Sequence, residues 1–270
     1  MVVKKNILVL CASIIILSFM AFGFVHRDSS ESNKIKIPDN LNLVSNLGPS
    51  QNLENRIFSN FIYDVGPRFG PIKKGDLNNF TSFADFMEED DAKRILSYKF
   101  VEVIIIENDR ESDIRESGNS AKLTSAQLKL LQSSDYSTNL KIRADVMQKN
   151  RYTGELEESY WTPHLTIVPE KQAYYINGKD SLMEFLKENS KESRVNVVED
   201  KLQPAKLFFT VTKNGTIENV SLDRSSNFPA VDKKMIELIS RTLRKWLPAE
   251  NAKGEKVDQV LVLSFGLMGC

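Results

Sequence analysis

From Ile7 to Val25 the chain is almost wholly apolar and carries no charge, with Lys4 and Lys5 before it and His26-Arg27-Asp28 after it. At about 1.5 Å per helical residue such a run spans roughly 28 Å, close to the hydrocarbon core of a bilayer. This constrains everything downstream, because one crossing leaves the rest of the chain on one side of a membrane. The flanking lysines place the N-terminus inside. Residues 1–6 are then a cytoplasmic stub, residues 7–25 a single N-terminal transmembrane helix, and the remainder lies outside. A cleaved leader ending near Ala21-Phe22-Gly23 is the competing reading. It fits less well, because Phe24 and Val25 continue the run and its length exceeds a usual signal core.

Composition narrows the function classes. Lys plus Arg and Asp plus Glu balance at 36 each, so no general attraction to nucleic acid or anionic lipid follows. The spread is uneven: from Lys201 to Cys270 there are eleven basic against seven acidic residues, which makes the tail basic and the rest acidic. Cys11 and Cys270 are the two cysteines, too far apart in kind and place for a disulfide framework. A body without cysteine fits an oxidising compartment. His26 and His164 are the two histidines, short of the several ligands that zinc chemistry wants. No phosphate loop, dinucleotide turn or Gly-x-Ser-x-Gly elbow is present. The chain reads as a non-enzyme without metal or cofactor.

Residues 26–55, rich in Ser and Asn and broken by Pro38 and Pro49, read as a flexible linker. Residues 56–190 read as a central antiparallel α+β domain. It opens on an aromatic loop from Phe61 to Pro71, either a binding loop or the packing of a domain edge. A short helix from Phe83 to Met87, capped by Thr81 or Ser82, precedes the acidic run Glu88-Glu89-Asp90-Asp91. A strand is expected from Tyr98 to Glu107, then a turn at Asn108-Asp109. Thr124 and Gln127 have capping-box spacing ahead of Leu128 and Leu131. Leu140 to Val146 alternates as a half-wet strand. A turn around Gly154 leads to a returning strand from Tyr160 to Val168. Asp180 caps a last helix from Ser181 to Asn189.

Residues 201–270 form a small β-β-α-β unit. Strands from Leu207 to Thr212 and from Ile217 to Asp223 flank Lys213-Asn214-Gly215, whose Asn-Gly pair suits a tight hairpin. A helix from Pro229 to Lys245 aligns Ile236, Ile239, Leu243 and Trp246 on one face, the expected core of the unit. Pro248 stops it, and Gly254 turns the chain into a last strand from Val257 to Phe265.

This order, with Gly215 in the hairpin, Asp232 at the helix start, Trp246-Leu247-Pro248-Ala249 and the closing Phe265, resembles the C-terminal domain of TonB-type energy transducers. The resemblance implies partner binding by strand addition along Val257, Gln259, Val260, Leu261, Val262 and Leu263, with Leu207 to Thr212 as the alternative edge. It implies an outer-membrane TonB-dependent receptor and inner-membrane motor subunits of the ExbB/ExbD type as partners, a homodimer as a further association, and a single-pass inner-membrane location with a periplasmic bulk. Two features depart from the family: no His lies one turn from Ser13 or Ser18 in the apolar run, and no Pro-rich rod follows it. The linker has a relaxed reach of only ~30 Å. An anchored periplasmic scaffold or sensor, using the same domain to bind protein or cell wall, is the alternative. N-terminal sequencing of the protein from isolated membranes is expected to begin at or near Met1; a mature start near His26 would remove the anchor.

Overall fold

The computed structural model describes residues 57–242 and 245–267. The expected anchor, the linker, Leu243 and Cys270 lie outside the described residues. Among the described residues no helix is long and apolar enough to cross a membrane. The fold is α+β, built on two sheets, each with its own apolar core.

The chain enters on β1 (Ile62–Gly66) and turns at once into β2 (Gly70–Lys73) and the single turn α1 (Lys74–Leu77). A 3-10 turn at Phe83–Phe86 and the short α2 (Glu89–Ala92) lead into β3 (Ile95–Glu107). In β3 the residues from Val101 to Ile105 are all buried, as the density of β-branched residues demands of a strand covered on both faces. Asn108 and Asp109 both have positive φ, 50° and 62°, the two-residue turn that suits strand twist. It reverses the chain into β4 (Arg110–Gly118).

Helix α3 (Ser125–Ser133) has the expected capping box: the Gln127 N–H donates to Thr124 Oγ1 at 3.2 Å and the Thr124 N–H to Gln127 Oε1 at 2.8 Å. β5 (Asn139–Lys149) then pairs with β3, bringing Val103 opposite Ile142 and Val101 opposite Ala144. The strand expected from Tyr160 to Val168 is two strands, β6 (Leu156–Trp161) and β7 (His164–Val168). Pro163 has no N–H to give a ladder, and the break falls there. β6 stays on β5, while β7 moves on to pair in parallel with β2. The six-stranded sheet, in the order β2-β7-β5-β3-β4 with β6 beside β5, is therefore mixed and not purely antiparallel.

The second sheet follows β8 (Tyr174–Tyr175) and α4 (Gly178–Asn189). Helix α4 begins at Asn177 as its N-cap, so Asp180 sits in the first turn and not at the cap. β9 (Ala205–Val211), β10 (Ile217–Arg224), α5 (Pro229–Ser240) and β14 (Gln259–Gly266) carry the C-terminal core; between α5 and β14 run the short pieces β11 (Trp246–Leu247), β12 (Ala249–Glu250) and β13 (Lys256–Val257). Ala205, Leu207, Phe209 and Val211 alternate inward on β9 against Val231, Met235, Leu238 and Ile239 of α5. At the hairpin, Gly215 has φ 75°, and a Cβ there would lie 2.6 Å from the Trp246 carbonyl oxygen.

Helix α5 ends at Ser240, earlier than the spacing of Ile236, Ile239 and Trp246 suggests. Ile239 is buried and Ile236 half-buried. Trp246 enters the same core from a strand: β11 pairs with β8, its ring meets Tyr175 and Phe209 at 5.6 and 5.4 Å, and its Nε1 donates to Thr242 Oγ1 at 3.0 Å. The cores also part elsewhere than residues 190–201. Leu182 and Leu186 of α4 and Phe61, just ahead of β1, belong to the C-terminal core. Trp246→Ala removes a ring packed between two others and is expected to lower stability by about 3–5 kcal/mol, read as a lower melting temperature of the C-terminal transition.

The edge of the last strand

The last strand of the C-terminal sheet is where the sequence places partner binding. Gln259, Leu261, Val262, Leu263 and Phe265 are buried, and Val260 is 37% exposed. β14 pairs with β9 through Gln259↔Val211 to Phe265↔Ala205. The Val260 N–H donates to Ser137 Oγ at 2.9 Å, away from β9. In an antiparallel ladder backbone groups alternate sides, so Val262, Ser264 and Gly266 also face outward, while Leu261, Leu263 and Phe265 face β9.

The outward side is occupied by the chain itself. β1 pairs antiparallel with residues 262–266, from Ile62↔Gly266 to Gly66↔Val262. The sheet order is β1-β14-β9-β10, so β14 is an interior strand. The expected alternative edge, β9, is interior too, between β14 and β10. Val257 stands off this edge: it lies in β13 and pairs with Ala249 of β12. Gln259 faces β9 through its backbone, and its side chain accepts the Ala173 N–H at 2.7 Å and donates to Gln172 Oε1 at 3.1 Å.

Side chains pin β1 in place. The Phe61 ring stacks on Phe265 at 6.2 Å and meets Tyr63 at 5.1 Å. Tyr63 Oη and Ser190 Oγ share a hydrogen bond of 2.6 Å. Burial pushes the Tyr63 phenol above its usual range, against the Ser190 hydrogen bond and the Arg194 charge. Asp64 pairs with Lys179 of α4. Arg194, 2% exposed, donates from Nη1 to the Phe58 carbonyl at 2.7 Å and from Nη2 to the Lys187 carbonyl at 2.9 Å, with its guanidinium 5.7 Å from the Phe61 ring centroid. Beyond β1, Arg68 pairs with Asp109 at the β3–β4 turn and with Asp223 of β10 at 3.3 Å, and lies 5.0 Å from the Phe208 ring centroid.

Where β1 stops, at Gly66-Pro67, a cavity of about 270 Å³ opens, with Val65, Tyr175, Leu182, Trp246 and Leu261 in its wall. Among the described residues the outer side of β10 carries no further strand. A positive φ of 52° at Asn219 and a register shift between Glu218 and Ser221 blunt it, a common protection of exposed edges. One local signal of β1 is present: Phe61, Tyr63 and Val65 alternate, but Gly66-Pro67 and Gly70-Pro71 read as loop punctuation.

Residues 180–265 match the family model described as TonB C terminal, in agreement with the resemblance seen in the sequence. The match begins in α4, takes in β9, β10 and α5, and ends within β14, about a third of the chain. β1 lies outside it. Comparison with curated proteins and with solved structures gave no match.

The direction of each backbone N–H sets the outcome of proline substitution. Val260→Pro deletes only the donor to Ser137 and is expected to keep a cooperative melting transition, at a loss of about 1–3 kcal/mol. Leu261→Pro deletes a β9 ladder bond and is expected to abolish the C-terminal transition in circular dichroism melts.

Proposed function

We propose that this chain is a TonB-type energy transducer or adaptor, held in the inner membrane by residues 7–25 with its bulk in the periplasm. Its C-terminal domain binds an outer-membrane receptor by strand addition and couples an inner-membrane proton-driven motor to transport. The observation that carries this reading is the match of residues 180–265 to the TonB C-terminal domain, laid over a β-β-α-β arrangement that ends in β14. Strand addition supplies affinity through main-chain hydrogen bonds, which do not depend on the partner's sequence. No catalytic group is needed for such work.

An open cleft of about 700 Å³ beside the six-stranded sheet, lined by Phe80, Phe86 and Trp161 with Asp76 and Glu88, favours a second reading. In it the chain is a periplasmic scaffold or sensor whose central half takes its own ligand. A photoreactive residue in place of Val260, the exposed outward position of β14, tests the two in intact cells. Crosslinks to an outer-membrane receptor, identified by mass spectrometry, are the expected result. Crosslinks only to signalling or cell-wall proteins would replace the transducer by the scaffold.

A further inference from the structure

The strand on the outward side of β14 comes from outside the matched residues 180–265. We infer that β1 is an exchangeable internal occupant of that edge. The partner that replaces it is an extended segment, antiparallel to β14, with an apolar side chain where this chain has Pro67. The inference rests on the reading of the domain as a strand acceptor and adds a condition to it: β1 leaves before a partner pairs.

Three observations carry it. β1 is five residues long and none of them is fully buried, whereas β9 buries every second residue. β1 also ends short of the available edge. Its register continued would set residue 67 opposite Leu261 and residue 68 opposite Val260, but the Pro67 ring fixes φ at about −65°, off the extended strand value, and Arg68 turns away to Asp109 and Asp223. The Val260 N–H is left to a side-chain hydroxyl, Ser137. Finally, the unfilled positions border the apolar cavity of about 270 Å³ that Leu261, Trp246 and Tyr175 help to line. A segment without proline at that point gains register positions and fills the cavity, so backbone pairing gives it affinity and the cavity gives it selectivity.

The test uses the full chain in detergent, with Cys11 and Cys270 changed to Ser and with Asp64→Cys plus Ser264→Cys. These positions are register partners of the outward, hydrogen-bonded class, whose Cα spacing of about 5.5 Å suits a disulfide. The probe is a fluorescent peptide copying residues 60–69 with Pro67→Val. It is expected to bind the reduced chain saturably, to lose at least about tenfold in affinity on oxidation, and to recover with reductant. The copy that keeps Pro67 is expected to bind about tenfold more weakly, because the fixed φ opposes continued pairing as far as Val260. Without any disulfide, Tyr63→Phe loses the Ser190 hydrogen bond and is expected to tighten probe binding about fivefold, because less is lost when β1 leaves. Equal binding by oxidised and reduced chain, no binding by either, or no effect of Tyr63→Phe would each overturn the exchange. Receptor crosslinking from position 260 that persists in the oxidised chain would overturn it while leaving receptor binding standing. Probe exchange without receptor crosslinking would keep it and remove the receptor.

Discussion

The antiparallel ladder between β1 and β14 is the interaction on which the C-terminal half depends. A strand in the middle of a sheet needs partners for its backbone groups on both sides, and a buried unpaired N–H is costly. β9 satisfies one side of β14. The other side, which Val262, Ser264 and Gly266 face, is satisfied by residues that enter the fold long before the domain they complete. The same segment brings Phe61 into the C-terminal core, against Phe265. The span that matches the TonB C-terminal domain therefore borrows both an edge and part of a core from upstream.

Two buried arginines bracket the borrowed strand. Arg194 holds the Phe58 carbonyl ahead of it, and Arg68 holds the carboxylates of Asp109 and Asp223 behind it. A guanidinium taken out of water must find acceptors in fixed places. Each arginine therefore fixes the path of the main chain at one end of β1. Arg68 does more, since its two carboxylates belong to different sheets and its cationic plane lies near Phe208. Through it the β3–β4 turn, β10 and the link between β1 and β2 meet at one point.

What could be read in the sequence was local. The run through Val101 and Ile105 announced β3 by β-branched density, the alternation from Leu140 to Val146 announced β5, and Thr124 with Gln127 announced a helix start, because each signal lies within a few residues. β4 carries no such signal, since it is almost wholly polar, with Ile114 as its one large apolar residue. The Asn108-Asp109 turn and its partner β3 make it a strand, not its own pattern. Trp246 has the spacing of a helical face, yet the chain leaves the helix at Ser240 and the ring reaches the same core beside Tyr175. In the last strand, the alternation of Gln259 to Phe265 located β14 but carried no trace of its neighbour. Pairing with β1 is a contact between distant parts of the chain, and the Gly-Pro steps that end β1 are the same residues that disguise it as a loop.

The order Arg194-held Phe58, β1, then Arg68 also has a mechanical meaning. Tension entering from the N-terminal side is borne first by the Phe58 carbonyl and by a five-residue ladder. The six-stranded sheet carries load only once those give. Residues 58–67, drawn out straight, supply up to roughly 30 Å of chain at about 3.4 Å each. That length is slack held inside the fold, and pulling it out is the same act that bares the outward amides of β14.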